Sequence, residues 1–381
     1  MNPYWSGLQR SAQVHFSNPS AFSDYSPISV CIGPLHQRRH ASFKFFNMWA
    51  EHQDFKHLLS EQWRVAVYGS PMYVLCRRLK LLKAPLKQLN KLHFAHISER
   101  VRRAEADLEQ HQSLLHNDKD NEHFLARDKK LRLDLINLKS AEKMFYSTKL
   151  KCNFFKDCDR GTSFFHALMN HRHKKNYIPA ICRSNGSLTT SMTEVGDAFV
   201  CFYQQLLGSS RATLPLDESV VSRGPRLDAT LQASLLATVT NDDIKMALFS
   251  IGDDKSPGPD RYSSFFFKKS WDVVGQNLCA AVRDFFQSGQ LLKQINHSII
   301  ALVPKSAHVS NTNDFRAISY CNVVYKIISK ILADRMGHAL AGIISPCKML
   351  SWVVVAWLII LIFYKSCSGN MKRSEPLINA L

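Results

Sequence analysis

The chain has 381 residues, 45 % of them hydrophobic, which excludes wholesale disorder and leaves room for two or three domains. Lysine and arginine number 49 against 31 acidic residues, a formal net charge of +18, which points to RNA or DNA as partner, with an acidic membrane surface second. The 10 cysteines are scattered without a CxxC pair, which excludes a small disulfide scaffold and reads as reduced thiols in an intracellular protein, nuclear or cytoplasmic.

The opening "MNPYWSGLQRSAQVHF" has no uninterrupted apolar core and does not read as a signal peptide. The first clear periodicity joins Phe94, Ile97, Val101, Ala104, Leu108 and Leu115 in steps of three and four, broken only by His111, and predicts an amphipathic helix of coiled-coil character. Turn formers in "HNDKDNEH" interrupt it, and a second helical run carries Leu125, Leu131, Leu135, Leu138 and Phe145 near one face, so an antiparallel helical hairpin is expected. Its basic residues Arg100, Arg102, Arg103, Lys129, Lys130 and Arg132 would lie mostly outside, as a solvated surface or one facing nucleic acid.

A basic segment follows that holds Cys152, Cys158, His166, His171 and His173; its spacing does not match the usual zinc ligand sets, so it reads as a helix with incidental histidines. Between Leu207 and Leu227 the composition turns to Gly, Ser, Pro and Arg, a linker or exposed loop at an expected domain boundary. "TNDDIKMALFSIG" then predicts a short helix with Asn241 as acceptor at its start and Gly252 as its stop. In "DDKSPGPDRY" Pro257 and Pro259 each fix φ while Gly258 supplies freedom between them, so a defined bend needs no helix or sheet to support it.

One helix is predicted from about Ser264 to Ser288, burying Phe266, Trp271, Val274, Leu278, Val282 and Phe285 and ending at Gly289. "HSIIALVPK" (297–305) predicts a strand, "DFRAISY" its partner, and "NVVYKIISKILADRMGHALAGII" a last helix with Val324, Ile327, Ile328, Ile331 and Leu332 inward. From Met349 to Tyr364 the chain is apolar and uncharged, bracketed by Lys348 and Lys365 and just short of the ~17–25 residues of a usual membrane span.

The order of these parts resembles the fingers region of LINE-type (non-LTR) retrotransposon reverse transcriptases, especially those abundant in plant genomes. The residues that carry the resemblance are "KSPGPD" at 255–260, "FFKKSWDVVG" at 266–275, "INHSIIALVPK" at 295–305 and "DFRAISYCNVVYKIISKILADRM" at 314–336. More loosely, "CDRGTSFFHALMNHRHKKNYIPAI" (158–181) resembles the basic connector before the polymerase. "FKFFNMWAEHQDF" (43–55) resembles the segment after the endonuclease, and "SDYSPI" (23–28) the endonuclease's close.

The resemblance implies a mainly helical α+β fold in five parts: an endonuclease remnant at 1–35, a basic helical connector at 36–206 and a linker at 207–235, then partial fingers at 236–346 and a divergent apolar tail at 347–381. It implies that Lys305 and Arg316 grip the triphosphate of an incoming nucleotide, a task suited to a mobile point charge beside a planar bidentate donor. Lys255, Lys268, Lys269, Arg172, Lys174 and Lys175 are the implied nucleic-acid contacts. Two departures fall in the fingers: Ala317 replaces the usual proline after Phe-Arg, loosening the strand, and Arg261 replaces the usual glycine, so the turn must accept a residue that dislikes positive φ.

The family's polymerase chemistry uses Mg2+ held by palm aspartates. From Cys347 to Leu381 there is no aspartate and Glu375 is the sole carboxylate side chain, so no cofactor and no catalytic residue are expected of this chain. Asp24 survives from the endonuclease close, but Tyr25 stands where the family has a histidine, and a phenol titrating near 10 is a poor substitute for imidazole. The sequence thus predicts a truncated, catalytically inactive reverse-transcriptase fragment with residual nucleic-acid binding. The alternative is a tail-anchored membrane protein inserted through 349–364, with a basic cytosolic body.

Overall fold

In the computed structural model, residues 12–16, 28–32, 43–117, 121–150, 168, 176–183, 186–209, 218–224, 227–306 and 309–340 are described. The fold is mainly helical α+β, and among these residues the strands form two antiparallel ribbons. In the first ribbon β1 (Ala12–Phe16) pairs with β2 (Ile28–Ile32), Ala12 opposite Ile32 and Phe16 opposite Ile28. It belongs to a unit spanning Met1–Lys44, and the described residues from Phe45 onward form a second.

The second unit is organised around the Pro-Gly-Pro turn. A β-carbon on Gly258 would lie 2.3 Å from the backbone nitrogen of Asn322 and 2.4 Å from its Oδ1, so only glycine lets the turn approach this closely. Asn322 is buried at the start of a helix, α12 (Val323–Leu340), and its side chain is fully used. Its Oδ1 accepts from the Asp260 amide at 3.1 Å, and its Nδ2 donates to the carbonyls of Gln294 and Ile295 at 3.0 and 3.3 Å. Arg261 adopts φ 68°, so the left-handed position that suits glycine is occupied by a branched cation, as its sequence position predicts.

Beyond the turn, Tyr262 is fully buried and its hydroxyl donates to the Leu79 carbonyl at 2.9 Å. Leu79 lies on α2 (Pro71–Leu89), which follows α1 (Phe55–Trp63) and starts with a Ser70 cap and Pro71 in its first turn. Phe45 meets Tyr262 and Phe266, and Phe55 meets Phe266, in edge-on and tilted contacts, with Phe45–Phe266 centroids 5.1 Å apart and Trp49 edge-on to Phe45. Asn277 accepts from Trp63 Nε1 and Arg78 Nη1, both at 2.8 Å, which fixes α1 and α2 against α10 (Trp271–Ser288). The segment from Phe45 to Leu89 and the region after Thr240 therefore share one core.

The helix expected over 264–288 is two helices. α9 (Ser264–Lys269) ends at Ser270, whose φ −102° and ψ 12° leave the helical region, and α10 begins afresh at Trp271. Phe266, Val274, Leu278 and Val282 are buried as expected, whereas Trp271 and Phe285 are half-buried. Trp271 instead packs beside Gly275 and edge-on to Phe249. Gly289 closes α10 at φ 67°. The helix before the turn, α8 (Asn241–Ser250), is capped by Thr240 in a reciprocal box with Asp243, so Asn241 lies one residue inside the expected cap; Ile251 rather than Gly252 is its C-cap.

The helical hairpin forms as expected from α3 (Ile97–Asn117) and α4 (Glu122–Leu150). Ser98–Tyr146 at 2.9 Å, Glu105–Lys139 at 2.8 Å and Gln112–Asp128 at 3.5 Å bridge the two helices from root to tip. His111 does not break the seam but lies inside it, 4 % exposed, with its Nε2 donating to the Phe124 carbonyl at 2.9 Å. Leu125, expected inward, is exposed. Phe124 and Asp128 hold that face instead, and the Asp128 carboxylate accepts from Arg132 Nε at 2.6 Å. Arg100, expected outside, turns inward and donates to the Leu92 and Ala95 carbonyls at the hairpin root.

After α5 (Met192–Gly208), the stretch read as a linker holds α6 (Glu218–Arg223) and α7 (Ala229–Leu236). Arg335 of α12 donates to the carbonyls of Leu235, Ala237 and Thr238, tying the end of α7 down. The short α11 (Lys293–Asn296) leads into the second ribbon, β3 (Ser298–Pro304) with β4 (Phe315–Cys321). Its register is unbroken from Ser298–Cys321 to Pro304–Phe315, through Ala317. Val324, Ile327, Ile328 and Ile331 of α12 are buried as expected, and Leu332 is half-buried.

No helix among the described residues is long and apolar enough to cross a membrane. Met349–Tyr364, on which the tail-anchor alternative rests, lies outside the described residues. Cys76, Cys182, Cys201, Cys279 and Cys321 are free thiols.

Gly258→Ala is expected to destabilise the chain by about 3 kcal/mol or more, because the methyl meets backbone rather than a side chain able to move. Gly208→Ala, where a β-carbon meets nothing within 4 Å, is expected to be neutral or slightly stabilising. Urea denaturation of the two variants checks the contrast.

Candidate functional site

Alternation along the second ribbon sends its side chains to two faces. On one, Phe315 packs with Ile181, Val195 and Phe199, its ring 5.1 Å from that of Phe199, while Leu302 and Val309 pack alongside. The Cys182 amide donates to the Ser310 carbonyl at 2.8 Å, joining the ribbon's loop to the 178–189 turn. One face of the ribbon is thereby held against α5.

The other face carries Lys305 and Arg316. Val303 lies opposite Arg316, and Lys305 follows two residues on, just past the end of β3, its amide still donating to the Asp314 carbonyl at 2.8 Å. Val303 and Ile318, 38 % and 41 % exposed, form an apolar floor beside them. Among the described residues the Arg316 guanidinium makes no hydrogen bond or ion pair. Lys305 Nζ donates to the Asn313 carbonyl at 2.6 Å, which leaves its other protons available.

The loop between the strands is built around Asp314, which accepts from the Ser310 and Asn311 amides at 3.1 and 3.0 Å. Those two backbone hydrogen bonds, with the nearby Lys305 charge, hold its carboxyl below the usual carboxylate range. The acid is thus committed to shaping the loop, and the two cations dominate the adjoining face.

The remaining predicted cations divide. Lys268 serves the fold: its Nζ donates to the Ile251 carbonyl at 2.7 Å and to Asp253 at 2.8 Å, capping the end of α8. Lys269 pairs with Glu51 at 2.8 Å. Lys255 is exposed and has no ion-pair partner among the described residues. Arg172, Lys174 and Lys175 lie outside the described residues, as do Cys152, Cys158, His166, His171, His173, Asp24 and Tyr25.

Sequence reasoning missed a polar knot beneath the turn. Lys326, one turn into α12, donates to the Ser256 carbonyl, and burial holds its ammonium below the usual lysine range. Asp260 faces Lys83, Lys326 and Arg261; its Oδ1 accepts from the Tyr262 amide at 3.1 Å, and its Oδ2 is buried with no hydrogen-bond partner. Burial lifts the carboxyl to about 6 against the pull of that hydrogen bond and the three cations. The Asn immediately before the apolar run of α12 was the available signal, as a helix-start residue.

No protein-family model matches the chain. It is similar to the "Transposon TX1 uncharacterized 149 kDa protein" of Xenopus laevis, 26 % identical over 190 residues. The match covers 50 % of this chain and 14 % of that protein, so the chain spans a small part of its relative's length. A transposon-encoded relative is therefore on hand, and a relation to mobile elements follows from it.

The raised pKa of Asp260 makes a pH prediction. Between its unfolded value near 4 and about 6, the folded state binds the proton more tightly, so stability from this group is present at low pH and falls as pH rises to 6. Asp260→Asn is expected to stabilise the chain at pH 7 by about 1–3 kcal/mol, with the gain shrinking toward pH 4. Urea midpoints of both proteins from pH 4 to 7.5 check it.

Proposed function

We propose that this chain is a fingers-containing piece of a LINE-type, non-LTR retrotransposon reverse transcriptase that binds nucleic acid and, as this polypeptide, does not polymerise. The observation that carries the reading is the ribbon face, where the Arg316 guanidinium has no partner among the described residues beside exposed Val303 and Ile318, with Lys305 just past the strand end. Such a pair suits phosphate oxygens: the guanidinium offers two parallel donors and the ammonium a charge that can follow them. The similarity to a transposon protein supports the same lineage.

Electrostatics favours a polyanion. With a formal +18 on the chain, a strand of RNA or DNA gains from counterion release whatever its sequence. Lys305, Arg316 and Lys255 are the proposed contacts, with Arg172, Lys174 and Lys175 extending them. Lys268 and Lys269 contribute to the local field while holding α8 and the Glu51 turn in place.

Polymerisation needs carboxylates to hold a metal pair, and the stretch Cys347–Leu381 carries one, Glu375. The proposed role of the ribbon face is attachment to nucleic acid, with a residual grip on nucleotide triphosphates.

Fluorescence anisotropy with labelled RNA and DNA oligonucleotides is expected to show binding that weakens steeply with salt. Arg316→Ala is expected to lower the slope of log affinity against log salt by about one, the signature of one lost phosphate contact. Primer extension on an RNA template with Mg2+ is expected to yield no product, and templated synthesis would overturn the inactive reading.

A further inference from the structure

We propose that His52, Asp54 and His93 form a metal site of the zinc class that clips the entrance of α1 to the turn joining α2 and α3. The three residues offer ligand atoms that all lie within 4.8 Å of one another. His52 Nδ1 is 3.6 Å and His93 Nε2 is 4.0 Å from Asp54 Oδ2, and the two imidazole rings are 4.2 Å apart at their centroids. Four ligands placed tetrahedrally at about 2.0–2.1 Å stand roughly 3.4 Å from one another. A cation would thus draw the two Asp54 contacts inward by roughly 0.2 and 0.6 Å and the widest pair by up to about 1.4 Å. An octahedral ion of similar bond length needs edges near 3 Å and a larger contraction, which favours a tetrahedral site with a fourth position for water.

The backbone that presents these ligands is already constrained. His52 follows the 3-10 turn Asn47–Glu51, and its Nδ1 accepts from the Asp54 amide at 3.2 Å, which holds the ring beside the cluster; on ligation that nitrogen exchanges the amide for the metal. His93 lies in the π-helical turn Asn90–Phe94, a rare geometry often found where a side chain must be re-aimed. Asn90 at the start of that turn accepts from Trp49 Nε1 at 3.1 Å, and Phe94 stands edge-on to His52 at 5.6 Å. His96, just beyond, is a non-glycine residue at φ 54°.

The two sides of the site differ in chain position. Asp54 precedes α1, which packs on α10, whereas His93 closes the turn from which the α3–α4 hairpin departs. A metal here would set the angle at which the hairpin leaves the core, using residues separate from the ribbon face. The site does not depend on the proposed nucleic-acid role.

Titration of the full chain with Co2+ alone, followed by visible absorbance, tests the site. The expected result is saturation near one equivalent, with the intense d–d bands of a tetrahedral centre, and a urea midpoint raised by the metal. His52→Ala and His93→Ala are each expected to weaken binding at least about tenfold, whereas His57→Ala, an exposed neighbour on α1, is expected to leave it unchanged. Far-UV circular dichroism confirms that the variants fold. Should His93→Ala fail to fold, Asp54→Asn, at an exposed carboxylate, makes the same decision. Absence of saturable binding, or binding retained when His52 or Asp54 is replaced, overturns the proposal.

Discussion

In the second unit the backbone of Gly258 lies against the amide of Asn322 with no room for a β-carbon. Much of the architecture follows from that contact. The turn can dock on the start of α12 only because its central residue has no side chain, and Asn322 then distributes its hydrogen bonds to Asp260, Gln294 and Ile295. With the turn fixed, Tyr262 reaches the Leu79 carbonyl and the Phe45–Phe55 segment gains an aromatic neighbour in Phe266. A constraint of a few ångströms thus joins residues more than 180 positions apart in sequence.

The parts legible in the sequence are those that local chemistry determines. The hairpin, both strands of the second ribbon and the inward face of α12 follow from apolar spacing, whereas the left-handed Arg261 is implied by the resemblance, which has a glycine there. Illegible were features set by tertiary partners. Apolar spacing runs smoothly through Ser270, so nothing local announces the break between α9 and α10. His111 looks like an interruption until the Phe124 carbonyl opposite it is known. Leu125 and Phe124 are both apolar, and only the partner helix decides which turns inward.

The cations illustrate the same division. A lysine in a basic segment reads as a contact for an anion, yet Lys268 spends its charge on the end of a helix and Lys326 on the carbonyl of Ser256. Both are near carboxylates or carbonyls that only folding brings to them. Arg316 differs because its strand places it on the face opposite the packed Phe315. The net charge of the chain therefore overstates the charge available to a ligand, and the ribbon retains a share that the core does not consume.

The hairpin's buried polar residues decide how its two helices may slide. A thin two-helix seam of leucines and alanines alone would tolerate a shift by one turn, since one aliphatic neighbour substitutes for another. Here a shift would strand the His111 imidazole without the Phe124 carbonyl to receive it and would part Gln112 from Asp128, whose carboxylate keeps Arg132 of its own helix. The arm is held to a single alignment, so its tip keeps a constant reach from the body that carries it.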